Sequence, residues 1–62
     1  MGMSKQQKIE ASKAVGRFRY LIVGPDDTEY CVAHTFKDAD SDAKKCKGEA
    51  WLAGRIVFSY KV

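Results

Sequence analysis

The sequence is poor in the residues from which metal centres and covalent active sites are built. Its 62 residues include one histidine, two cysteines, one tryptophan and one proline. One histidine and two cysteines cannot fill a four-ligand zinc site without carboxylates or a second chain. Cys31 and Cys46 also lack CxxC or Cys/His spacing. The reading is therefore no metal and no cofactor, with both cysteines as small buried hydrophobes. Hydrophobic runs are short as well. None approaches the ~18 residues of a membrane span, and the lysine-bearing start has no apolar stretch of the kind a secretory signal needs. The expected compartment is the cytoplasm, with reduced thiols and no membrane partner. The length allows one domain at most. A chain of this size buries only about 60% of its unfolded surface, which leaves little room for a substrate pocket with a supporting shell. With 45% hydrophobic residues, it is too apolar to be wholly disordered.

Charge is present and unevenly placed. The net +3 divides into +4 over residues 1–20, −5 over 21–43 and +4 over 44–62. A basic–acidic–basic order can fold into opposed charged faces, which steer encounter with a complementary partner.

Residues 1–16 are expected to form a basic N-terminal arm or a short helix. Ser4 and Gln7 stand at capping-box spacing and Gly16 is placed to stop the helix. A single domain is expected over 17–62. Arg17–Val23 reads as a strand, with Phe18, Tyr20 and Ile22 on one face and Arg17 and Arg19 on the other. Gly24-Pro25-Asp26-Asp27 is a turn. Glu29–Phe36 alternates as a second strand. Ala43, Cys46 and Ala50 then fall on one helical face, with Asp40 or Ser41 as N-cap. Trp51 and Leu52 follow as anchors, Gly54 marks an exit, and Arg55–Val62 is a third strand. The fold class is α+β: a three-stranded antiparallel sheet with one short helix packed on one face (ββαβ). Such a sheet leaves a face and two edges open, so a homodimer or a larger partner is expected, with strand-edge pairing as one route.

Three patterns bear on chemistry. Asp38, Asp40, Asp42 and Glu49 match positions 1, 3, 5 and 12 of an EF-hand loop. However, Ala43 stands where glycine is needed, and Lys44, Lys45 and Lys47 lie inside the loop. The stretch reads instead as the acidic start of a helix. His34 and Cys31 are three apart on a strand and so point to opposite faces, which argues against a Cys–His pair; no catalytic residue is assigned. Arg17, Phe18, Arg19 and Tyr20, preceded by Lys5, Lys8 and Lys13, combine cations with aromatics as nucleic-acid-binding surfaces do.

The order of a strand, the segment FKDADSDAKKCKGEAWLAG and a final strand RIVFSYKV, over Tyr30–Val62, resembles small phage-encoded host-takeover proteins. It looks like the host RNA polymerase inhibitor of podophages and, in order and size, like several small anti-CRISPR proteins. The polymerase inhibitors use acidic surface, whereas this chain is net basic. Some anti-CRISPR proteins meet guide RNA or DNA through basic residues. The resemblance implies a non-enzymatic inhibitor, acting in the cytoplasm of a bacterial host cell, that binds a host protein or a ribonucleoprotein defence complex. A small basic nucleic-acid-binding accessory protein is the alternative. The electrostatic candidates are Lys5, Lys8, Arg17, Arg19, Lys44, Lys45 and Lys47. Tyr30, Trp51 and Tyr60 are the aromatic candidates for partner binding, since interfaces concentrate their energy in Trp, Tyr and Arg.

Overall fold

The computed structural model describes residues 2–61. Met1 and Val62, the outer ends of the expected arm and last strand, lie outside them. The protein is α+β, with two helices and a four-stranded antiparallel sheet. In chain order the elements are α1 (Lys5–Ala14), β1 (Tyr20–Val23), β2 (Glu29–Ala33), α2 (Phe36–Cys46), β3 (Glu49–Leu52) and β4 (Arg55–Ser59). The strand order is β2-β1-β3-β4. Both β2 and β3 run antiparallel to β1. Thus α2 crosses between two parallel strands that have β1 inserted between them.

Local chemistry sets most of the boundaries. Ser4 and Gln7 form the expected capping box: the Gln7 amide donates to Ser4 Oγ at 3.2 Å, and the Ser4 amide donates to Gln7 Oε1 at 2.8 Å. Residues 5–14 are therefore a helix rather than an arm, and Gly16 follows it at φ +113°. Pro25 begins the β1–β2 turn. The Asp27 amide closes that turn onto the Gly24 carbonyl at 3.1 Å, and Asp27 itself takes φ +64°.

The expected ββαβ order is corrected in two places. First, the central helix starts earlier. Its N-cap is Thr35, whose hydroxyl accepts from the Asp38 amide at 3.1 Å, not Asp40 or Ser41. The second strand accordingly ends at Ala33 rather than Phe36. Second, the helix stops at Cys46. Lys47 adopts φ +53°, and the Gly48 amide returns to the Ala43 carbonyl at 3.0 Å. This end releases Glu49–Leu52 as a fourth strand. Ala53 and Gly54, both at positive φ (+50° and +86°), then make a two-residue hairpin turn of the primed type that matches strand twist.

The two helices together cover both faces of the sheet. On one face α2 packs Ala39 and Ala43 onto Ile22, Ala33 and Ala50. On the other, α1 lays Ile9 and Ala11 against Leu21, Val23 and Trp51. Leu21, Ile22 and Val23 are all fully buried because β1 is central and covered on both sides, as continuous apolar runs require. The expected alternation through Phe18, Tyr20 and Ile22 fails at its start. The chain is still turning at Arg17 and Phe18, the strand begins at Tyr20, and Phe18 is 81% exposed. Phe36 and Ile56 are exposed as well.

Both edge strands are interrupted. The β1–β2 register shifts between Ile22 and Val23, and the β3–β4 register shifts between Ala50 and Trp51. A bulge bends an edge and breaks its template for a further strand.

Candidate functional site

Two groups of polar residues stand out, one interior and one at the surface. The interior group ties the ends of the chain to the sheet. Lys8 on α1 donates to Asp27 Oδ1 at 2.7 Å and to Glu49 Oε1 at 3.0 Å. Trp51 Nε1 donates to the same Glu49 oxygen at 3.0 Å. Lys61 bonds to Asp27 and lies 3.8 Å from Glu49. Two ammonium groups face two carboxylates, so the formal charges cancel. Glu49 is 5% exposed and Lys8 8%, which calls for close pairing, since a buried unpaired charge is costly. Hydrogen bonds from Lys61 and Lys8 hold the Asp27 carboxyl below its ordinary range. Burial alone would lower Lys8; its hydrogen bonds to Asp27 and Glu49 outweigh that, and its pKa is raised.

This network takes two of the expected partner-binding residues out of the surface. Lys8 is committed to Asp27 and Glu49. Trp51 is buried beneath α1 with its indole N–H satisfied, as a core anchor is. Tyr60 is half-buried and its hydroxyl is bonded to Asp40, which raises its pKa. Cys31 is also occupied: its thiol donates to Asp42 at 3.6 Å, and burial followed by the Asp42 charge pushes its pKa up to about 11. Asp38, Asp40 and Asp42 lie on α2 rather than in a loop. Among the described residues, no cluster of three or more His, Cys, Asp or Glu is placed to hold a metal ion.

The remaining expected residues are exposed but do not share one surface. α2 runs from the end of the sheet where Ala33 pairs with Tyr20 to the end where Glu49 pairs with Val23. Lys44, Lys45 and Lys47 therefore sit at the far end from Arg17 and Arg19. Tyr30 and Lys5 lie towards that same far end. Tyr30 precedes Cys31 on β2, beyond the acidic turn. Lys5 opens the helix whose lead-in bonds to Asp27 through the Met3 amide.

Arg17 and Arg19 have other neighbours. α1 ends beside the β3–β4 turn, where Ser12 Oγ accepts from the Gly54 amide at 2.8 Å. A side chain at Gly54 would come within 2.9 Å of Lys13 Cε, so the Lys13 stem lies across that turn, next to Arg55. The Gly16 amide bonds to the Lys13 carbonyl at 3.3 Å, and the Arg19 amide bonds to the Gly16 carbonyl at 3.2 Å. Lys13, Arg17 and Arg19 thus lie at the C-terminal end of α1 and in the turn that follows it, while Arg55, paired with Leu52, falls on the α2 face of the sheet at the same end. The exposed Phe18 stands between the two arginines in sequence. None of these four cations forms an ion pair among the described residues. Arg17 and Arg19 are expected site residues, and Lys13 is one of the cations that precede them in the sequence. Phe18, expected on the strand face shared with Tyr20 and Ile22, is instead exposed. The signal for its exposure was its position two residues after Gly16, inside the turn that follows the helix.

No helix among the described residues is long and apolar enough to cross a membrane. The chain matches no protein-family model, and no curated protein and no solved structure is similar to it.

Proposed function

We propose that the protein is a small non-enzymatic inhibitor that docks on an anionic face of a host ribonucleoprotein complex, in the manner of the anti-CRISPR proteins. The observation that carries this reading is the basic end of the molecule: Lys13, Arg17 and Arg19 at and just beyond α1's C-terminus, without ion pairs among the described residues, with the exposed Phe18 between the two arginines in sequence. Unpaired cations around an exposed aromatic supply both electrostatic steering and a central anchor. Several groups suited to covalent or acid–base work are otherwise engaged. Cys31 is held protonated against Asp42, Tyr60 is bonded to Asp40, and Lys8 and Glu49 neutralise one another inside the fold.

The test is affinity capture from a bacterial lysate, comparing the wild type with Arg17→Glu/Arg19→Glu. A stoichiometric ribonucleoprotein retained by the wild type, and reduced more than about tenfold by the variant, is the expected outcome. Both arginines are exposed, so the variant should keep its stability to within about 0.5 kcal/mol. Equal retention by both proteins, or no retained complex at all, would overturn the reading.

A further inference from the structure

The turn that carries Phe18 favours one class of anionic partner. Phe18 is the most exposed of the large hydrophobic residues, at 81%. It sits in the α1–β1 connection, outside both helix and strand. Hydrogen bonds along Lys13–Gly16–Arg19 fix the backbone of this connection, and the Arg19 stem folds back to within 4.0 Å of where a Gly16 side chain would begin. The result is an aromatic ring on a braced turn with a guanidinium on each flanking residue and Lys13 at the helix end before it. A protruding ring has no access to bases stacked within a duplex, whereas unstacked bases present their faces to aromatic side chains. The flanking cations suit phosphate, and arginine does so in a bidentate manner. Glu10, one turn back on α1, is the nearby acidic group on the same helix.

We propose that the Gly16–Arg19 turn, with Lys13 beside it, is a binding site for single-stranded nucleic acid. Phe18 stacks on an unpaired base, and the cations hold the adjoining phosphates. The proposal rests on the docking reading above and names what that basic end touches.

Fluorescence anisotropy with a labelled mixed-sequence 12-mer of single-stranded RNA, and the same sequence as a duplex, tests it on the whole protein. The single strand should bind at low salt and weaken steeply as salt rises. Phe18→Ala should reduce single-strand affinity roughly tenfold, the loss of about one stacked base, and leave the salt slope unchanged. Arg17→Ala and Arg19→Ala should each make the slope shallower by about 0.7. Phe18 and both arginines are exposed, so urea midpoints of all three variants should match the wild type, and Phe18→Trp should restore binding. No binding at low salt, equal affinity for the duplex, or indifference to Phe18→Ala overturns the proposal. So does displacement of the 12-mer by poly-glutamate at equal charge concentration, which would assign the site to an acidic protein segment. The capture experiment reads the docking reading separately. A complex retained through Arg17 and Arg19 in the presence of nuclease, without free-strand binding, would sink this proposal and leave the other standing.

Discussion

At the scale of single residues, the Lys8–Asp27–Glu49–Lys61 network governs how stability responds to mutation and pH. Removing Lys8 leaves the buried Glu49 carboxylate with only the more distant Lys61, at 3.8 Å, to compensate it. Lys8→Ala should therefore cost about 3–5 kcal/mol, measured by urea unfolding. Lys8→Ala/Glu49→Gln should cost less than the two single changes added together, because it removes a charge of each sign while an amide oxygen remains for the Trp51 N–H. The pH dependence follows from two opposite shifts. Asp27 is lowered from 3.8, chiefly by its bond from Lys61; its contribution is complete above that value and is lost as pH falls through the lower folded one. Lys8 is raised from 10.5; its contribution is complete below that value and is lost as pH rises through the higher folded one. Stability should be level between about pH 5 and 9 and decline on both sides. Asp27→Asn should make the acid decline shallower. A second residue-scale consequence concerns the thiols. With its pKa near 11 against an ordinary 9.0, Cys31 in a Cys46→Ser background should react with iodoacetamide at pH 7.5 roughly a hundredfold more slowly when native than in urea.

At the scale of elements, the joint between α2 and β3 is the most constrained point in the chain. A side chain on Gly48 would lie 1.9 Å from the Val23 carbonyl oxygen, so the backbone of β1 passes where a Cβ would be. Gly48→Ala should destabilise by about 3 kcal/mol, read from the thermal or urea midpoint, and a neutral result would contradict this packing. The same joint shows where the sequence was legible and where it was not. Ser4–Gln7 announced α1 and Gly24–Asp27 announced the first hairpin, whereas the one-face alternation of β4 is broken by the register shift that puts Ile56 and Phe58 on opposite faces. The first two are local signals carried by residues a few positions apart. The helix-to-strand switch at Lys47–Gly48 was hidden because Ala43, Cys46 and Ala50 happen to fit one helical face. Ala50 is buried for a different reason, as a small residue under α2 on a central strand. The true helical face, with Ala39 and Ala43 buried, begins one turn earlier, where Phe36 was taken for the end of a strand. Arg17 and Arg19 were readable from composition. Their position beside the β3–β4 turn was not, since it depends on α1 docking there.

At the scale of the whole molecule, the expectation of an uncovered sheet face is replaced by a three-layer arrangement. The argument for a dimer relied on that open face and on free edges. α1 covers the face, and bulges interrupt both edges. The protein should sediment as a monomer at tens of micromolar, although Phe36, Tyr30 and Ile56 remain exposed. A concentration-dependent dimer that Ile56→Lys abolishes would show that the exposed apolar residues outweigh the bulges. The charge distribution also resolves differently in three dimensions. The third block separates: Lys61 turns inward, Lys44, Lys45 and Lys47 go to one end of α2, and Arg55 joins Arg17 and Arg19 at the other.

The interior network has a temporal consequence as well. It joins residue 8 to residues 27, 49 and 61, so the groups that neutralise one another are synthesised far apart in time. β3, the strand between β1 and β4, is made after both α1 and β1, the earlier elements it must join. A nascent chain that has reached only Lys47 has a helix α1 with no docking site completed, and a hairpin with one flank unpaired. Folding of this unit therefore waits for β3 and Lys61. Shortening the C-terminus to before Lys61 should progressively remove the structure at both ends, rather than only the part that was cut.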